Sequence, residues 1–335
     1  MAAPKKNGQQ TVWFGSQPVI VSSVAIAGKK EGEGPLAETF HKVVDDPYYN
    51  EKSWEKAEQY MLEEAMQNAI VKANLKAKDI DFMLAGDLLN QIVSANYTAR
   101  NVGIPFLGLY GACSTLYEGL AIAGMLIDGD FADYVLVGTA SHYSTAERQY
   151  RNPVEHGSQK TMTTQRTVTG AGALVLARSG VGPVITHATI GKVVDLGETD
   201  VNNMGSAMAP AAVETIIKHL EDTGRQSDYY DAYITGDLGR YGRKLASNMM
   251  QKRGLDISEK LEDCGCLIFN EDDQDTHGGG SGCGCAAVVT CGHLLKEVEN
   301  GNIKRFLGVG TGALMSPLST QQGETIPGIA HAVVI

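Results

Sequence analysis

The chain has 335 residues, of which 43% are hydrophobic and 20% charged, the balance of a soluble globular protein with one large domain or two medium ones. Its formal net charge of -11 argues against a nucleic-acid surface and against electrostatic docking to anionic lipid. No apolar run is long enough to span a bilayer, and six cysteines in a chain of this length do not read as a disulfide scaffold.

In chain order, Met1 to Gln10 is polar and basic with no apolar signal core, so a soluble protein in a cytoplasm-like compartment is expected. Val19 to Ala27 reads as a buried strand, and residues 29–52 as a surface excursion. Ser53 suits a helix N-cap, although Lys56 stands where a capping box would carry Glu. From Trp54 to Ala73, Ala57, Tyr60, Met61, Ala65, Ala69 and Ile70 recur at helical spacing. Asp81 to Ala85 reads as a strand ending at Gly86-Asp87.

The turn Gly111-Ala112-Cys113-Ser114-Thr115 then places one cysteine at the start of an apolar helix. Free amides and the dipole at a helix N-terminus favour a thiolate, the usual way a catalytic cysteine is activated, but the rest of the chain lacks the partners such a nucleophile needs. Val135 to Val137 and Ala173 to Ala177 are further buried strands, separated by a polar segment, Ser141 to Thr169, too long for a bland connection. Arg148, Arg151, Lys160 and Arg166 lie in that segment, any of them a possible donor to a carboxylate or else part of a solvated loop.

The chain repeats itself. Asp81-Phe82-Met83-Leu84-Ala85-Gly86-Asp87 resembles Asp231-Ala232-Tyr233-Ile234-Thr235-Gly236-Asp237. Cys113 stands 26 residues before Thr139 of a Val-Gly-Thr, and Cys285 stands 26 residues before Thr311 of another. Two matches in one order indicate an internal duplication, residues 1–180 and 181–335, joined near Gly180 to Pro183. Strands alternating with helices give an α/β fold.

This duplication, with a cysteine opening a buried helix in its first half, resembles the thiolase superfamily, which includes the ketoacyl synthases. Thr169 to Ala177, His277-Gly278-Gly279-Gly280-Ser281-Gly282 and Gly328 to Ile335 resemble its Gly-rich hairpin, Gly-rich turn and closing strand. The resemblance implies a thiolase-like layered αβαβα fold and a two-fold homodimer. It also exposes departures. The position of the synthases' catalytic histidine falls on Gly236, and that of their asparagine on Gly279, with His277 close by. Each missing oxyanion or enolate donor typically costs on the order of a hundredfold, which argues against Claisen condensation.

The wording of Gly111 to Gly119, Ser141-His142-Tyr143-Ser144 and Gln149 to Gly157 is similar to a non-catalytic branch of that superfamily from spore-forming bacteria. That resemblance implies binding of dipicolinic acid, free or as its calcium chelate, by the soluble member of a channel assembly peripheral to the inner spore membrane, with roles in dipicolinate uptake and release. No resident cofactor is implied beyond calcium carried with the ligand. The candidate ligand contacts are Cys113, Asp87, Asp237, His277, Gly236, Gly279, Ser141, His142 and Arg166. Asp87 and Asp237 suit ligand or calcium contacts at strand ends, or caps for the amides that follow, and both roles can coexist. Two other readings stay open: a working ketoacyl synthase or acyltransferase that uses Cys113, and a channel scaffold with a vestigial pocket.

Three remaining patterns read as structure. Cys264-Gly265-Cys266 and Cys283-Gly284-Cys285 have one intervening residue each and apolar neighbours, so packing explains them better than zinc. Glu271 to Asp275 lacks calcium-loop spacing and reads as a solvated turn. Gly310-Thr311-Gly312 lacks the ending of a phosphate loop.

Overall fold

In the computed structural model, residues 5–270 and 273–335 are described, so Met1 to Pro4 and the first two residues of the acidic turn, Glu271 and Asp272, lie outside the described residues. The apolar runs form strands longer than the sequence pattern marks, because each continues through small residues that pack as tightly as Val and Ile. One sheet runs β4 (Lys42–Val44), β3 (Val19–Gly28), β9 (Gly170–Ala177), β7 (Tyr134–Ser141), β5 (Phe82–Gly86), β6 (Phe106–Gly108). The other runs β1 (Lys6–Asn7), β2 (Thr11–Trp13), β10 (His187–Thr189), β15 (Gly328–Val334), β14 (Phe306–Ala313), β11 (Ala232–Thr235), β12 (Leu261–Asp263).

The duplication is visible in the ladders. β5 pairs parallel with β7, and β7 antiparallel with β9; β11 pairs parallel with β14, and β14 antiparallel with β15. β6 and β12 extend the two parallel sides, and β3 and β10 the antiparallel sides. The expected surface excursion at 29–52 in fact contributes β4, parallel to β3, and the polar start contributes β1 and β2, which join the second sheet. These edge strands are too short for alternation to betray them.

Five layers result. On the outside of the first sheet lie α1 (Trp54–Lys72) and α2 (Val93–Val102), sealed by a core of Met61, Leu62, Met66 and Ile70 against Ile26, Leu136 and Val175. The Ser53 hydroxyl caps α1 at the Lys56 amide, 3.3 Å away, as expected. Tyr60 departs from its expectation: it is 45% exposed, and Leu62 and Met66 fill the inner face instead, each stabilising by about 1.5–3 kcal/mol. Between the sheets lie α3 (Thr115–Asp128) and the helix α7 (Cys283–Val289), with α4 (Tyr143–Tyr150) at the rim. Outside the second sheet lie α5 (Met204–Thr223) and α6 (Gly239–Lys252).

The central layer is apolar all round, as a helix buried on every side must be. Leu116, Tyr117 and Leu120 of α3 and Ala286, Ala287 and Val288 of α7 join one core with residues of both sheets. Gly308 makes room there: a Cβ on it would sit 2.2 Å from the Tyr117 ring, whose hydroxyl bonds Thr290 Oγ1 at 3.0 Å. The C-terminal ends of β5, β7, β11 and β14 thus converge on the N-termini of the two central helices, where open α/β folds form their crevices. A two-residue ladder between β8 (Arg166–Thr167) and β13 (Gly280–Ser281) ties the long polar segment to the Gly-rich turn over that crevice.

Candidate functional site

Cys113 sits in a 3-10 turn, Ala112–Ser114, immediately before α3. Ala112 takes φ +50°, the left-handed conformation that turns the chain sharply into the helix. The Ala112 carbonyl accepts from the Thr115 hydroxyl at 2.6 Å and from the Cys283 thiol at 2.9 Å, so the starts of both central helices are tied together.

The surroundings of Cys113 oppose a thiolate. Burial pushes its thiol well above the ordinary range, and the neighbouring Asp237 carboxylate adds to this by charge and by accepting the S–H. The Gly282 amide acts in the opposite direction and is outweighed. A helix N-terminus favours a thiolate only where no stronger field opposes it; here a full negative charge faces the sulfur. Nucleophilic cysteines in enzymes sit beside a cation or a histidine that stabilises the thiolate, whereas the charged neighbour of Cys113 is a carboxylate that opposes it.

Asp237 is fully buried and richly bonded. Its Oδ1 accepts from Thr311 Oγ1 at 2.8 Å, and its Oδ2 from the Gly282 amide at 2.9 Å and Ser281 Oγ at 3.0 Å. Burial still raises its pKa to about 6. Asp87, its counterpart in the repeat, is used differently. Its two oxygens accept from the Leu89 and Ala95 amides, both at 2.8 Å, so it closes the turn after β5 and caps α2. Burial lifts its pKa to about 6 as well. Behind it, buried Glu58 is driven well above the carboxylate range by desolvation and by Asp87. Glu58 accepts from Thr145 Oγ1 at 2.8 Å, while its Oε1 has no partner among the described residues.

A narrow cavity opens over Cys113. Its walls are Leu88, Tyr110, Ala112, Ala146, Tyr150, Met204, Ala313 and Met315, with Arg151, Thr167 and Ser281 as polar members. Of the expected contacts, Cys113 alone is among the lining residues; Asp237 touches the cavity through its hydrogen bonds to Cys113 and Ser281, and Asp87 through its neighbour Leu88.

The other candidates stand back from it. Ser141 braces the rim from behind, donating to the Val168 carbonyl at 2.7 Å and accepting from the Gly284 amide at 2.9 Å. His142 caps α4: its Nδ1 accepts from the Ser144 amide at 3.1 Å, and its Nε2 lies 2.8 Å from the Pro47 carbonyl. Burial lowers its pKa to about 4, so the ring is neutral at pH 7, with Nε2 donating to Pro47. Arg166 stacks over the Tyr143 ring at 3.8 Å and faces a separate cleft with Glu31, Asp46 and Pro47. Of the four cations in the polar segment it is Arg151 that reaches the cavity. His277 sits at φ +51°, with Nε2 3.6 Å from Asp275 Oδ1, outside the lining. Gly236 bonds the Val309 carbonyl at 2.9 Å, and Gly279, at φ +95°, occupies a conformation that an asparagine side chain would strain.

The paired cysteines do not converge on one centre. Cys264 and Cys285 belong to the central core, whereas Cys283 packs with Leu88, Cys113 and Ala146. Met204, Met315, Tyr110 and Tyr150 carry no signal in periodicity; of the lining residues in the polar segment, the sequence singles out Arg151 as a possible carboxylate donor.

A family model described as stage V sporulation protein AD (SpoVAD) matches residues 8–335. Stage V sporulation protein AD of Bacillus subtilis is 49% identical over 331 residues, which cover 98% of this chain and 97% of the relative. Among solved structures, 3-oxoacyl-(acyl-carrier-protein) synthase III of Aquifex aeolicus superposes with a TM-score of 0.59 at 16% identity, covering 95% of this chain and 99% of that one. A variant of Xanthomonas campestris OleA superposes with a TM-score of 0.63 at 16% identity, covering 100% of both. These two likenesses establish the thiolase-like α/β fold.

Proposed function

The chain belongs to the stage V sporulation protein AD family and is a sporulation protein, and on that premise we propose that it binds dipicolinic acid, free or as its calcium chelate, in the Cys113 cavity without transforming it. The observation that carries this reading is the lining of the cavity over Cys113, in which, among the described residues, Arg151 is the one cation and no histidine stands beside the thiol. By the resemblance, Gly236 and Gly279 take the positions of a condensing enzyme's histidine and asparagine, and in this reading the remaining cavity offers shape, amides and one cation rather than a reaction path. The N-terminus of α3 favours a carboxylate beside Cys113 once the opposing charge of Asp237 is neutralised, by its own protonation or by calcium carried with the ligand. Asp87 and Asp237 border the site, and calcium carried with the ligand offsets their charge.

In this reading the protein serves dipicolinate uptake into the forming spore and its release at germination, as the peripheral, membrane-facing member of an assembly with the other SpoVA proteins. Among the described residues no helix is long and apolar enough to cross a membrane, so attachment comes from those partners. A homodimer would pair the free edge of β6, where Leu107 is 46% exposed, with its copy.

Calorimetric titration with dipicolinate, with and without calcium and beside isophthalate, tests the proposal. Saturable binding that prefers dipicolinate supports it. Absence of heat and of thermal stabilisation at millimolar ligand overturns it, and an acyl adduct on Cys113 with turnover would replace it with catalysis. Without calcium, affinity for the dianion should fall as pH rises through about 6, where Asp87 and Asp237 ionise.

A further inference from the structure

We propose that Arg151 anchors a carboxylate of a planar aromatic acid in the Cys113 cavity, which makes the site selective for anions over neutral ligands of the same shape. The proposal rests on the reading of this cavity as a ligand site and adds the residue that recognises the charge.

Arg151 follows α4 directly, and its side chain is 5% exposed. It is the one cation among the residues lining the cavity. Its Nη1 donates to Glu147 Oε1 at 2.7 Å, one turn back along α4. Glu147, itself 5% exposed, is shared: its Oε2 pairs with Lys160 Nζ at 2.5 Å. One carboxylate therefore answers two cations, Arg151 and the part-exposed Lys160, so the three groups together carry one surplus positive charge that an incoming anion would neutralise.

The guanidinium is also short of acceptors. Its Nε reaches the Val201 carbonyl only at 3.4 Å, and its Nη2 faces the Met204 sulfur at 3.8 Å. A thioether is a weak acceptor, so these donors gain most from an oxygen anion entering beside Met204. The walls select the rest of the ligand. Tyr110 and Tyr150 join hydroxyl to hydroxyl at 2.9 Å and both line the cavity, aromatic walls of the kind that suit a flat aromatic ring.

The test is calorimetry on the full chain with dipicolinate, isophthalate and neutral isophthalamide, comparing wild type with Arg151→Gln and Arg151→Lys. Replacing the guanidinium by an amide should weaken both dicarboxylates by on the order of 10- to 100-fold and leave isophthalamide unchanged. Arg151→Lys, which can still pair with Glu147, should lose several-fold through the missing fork, and it decides the matter should Arg151→Gln not fold. Folded variants that bind both dicarboxylates as tightly as wild type would overturn the anchor and leave the dipicolinate reading standing. Arginine-dependent binding with no preference for dipicolinate over isophthalate would overturn that reading and leave the anchor. Wild type that binds neither dicarboxylate would overturn both.

Discussion

The two halves of the molecule share a strand order and a motif but not a use for it. Asp87 and Asp237 each follow the Gly that ends a matching strand, yet Asp87 spends its oxygens on two amides of its own half, at Leu89 and Ala95. Asp237 turns instead to hydroxyls of Ser281 and Thr311 and to a thiol from the other half, Cys113. The first acid holds a turn in shape; the second holds the halves together across the cavity and sets the protonation of its floor. A duplicated motif thus fixes where a carboxylate stands, while the elements facing it decide what the carboxylate does.

The contrast can be broken hardest where the halves interlock. Gly308→Val would drive a side chain into the Tyr117 ring and should cost about 3 kcal/mol or more, read as a fall in the denaturation midpoint. The use of Asp237 is sharpened by pH. Its pKa is raised from 3.8 to about 6, so between those values the folded state keeps a proton that the unfolded chain has released. Wild-type stability from this group is therefore lost as pH rises through that window, and Asp237→Asn, which has no such proton, should gain on wild type by about 2–3 kcal/mol between pH 4 and pH 6 in parallel urea titrations. A flat difference would mean that the carboxylate is solvated and free of the thiol. Asp87→Ala removes a cap and should cost about 1–2 kcal/mol, with hydrogen exchange accelerating first in α2. Cys113→Ala should be the mildest, under about 1 kcal/mol in stability, with a several-fold loss of dipicolinate affinity from the altered floor; unchanged affinity would place the ligand elsewhere.

Much of this architecture was written in local pattern. The Val-Gly-Thr pair and the two acidic turns survive because their surroundings repeat: β7 and β14 each lie between a parallel and an antiparallel neighbour, and so constrain the same small residues. The cavity was less legible because it is assembled from segments as distant as Leu88, Met204 and Met315, none of which carries a periodic signal for facing the others. Arg151 and Arg166 lie in one irregular segment, and nothing local separates the arginine that enters the cavity from the one that stacks on Tyr143. The charge balance at Cys113 was hidden for a similar reason. The field of a helix end is local and readable, but the opposing charge of Asp237 arrives only through tertiary folding.

The placement of residues 6–13 has a temporal side. β2 is held by β10, and the Thr11 and Thr189 hydroxyls meet at 2.8 Å across a separation of 178 residues. A ribosome adding 5–20 residues per second leaves the earlier strand waiting roughly 10–35 s for its partner. The first sheet can form almost entirely in that interval, since its strands end at Ala177. Residues 6–13 therefore close the molecule late, and a nascent chain halted before Thr189 should show them open to proteases while β3 to β9 already resist.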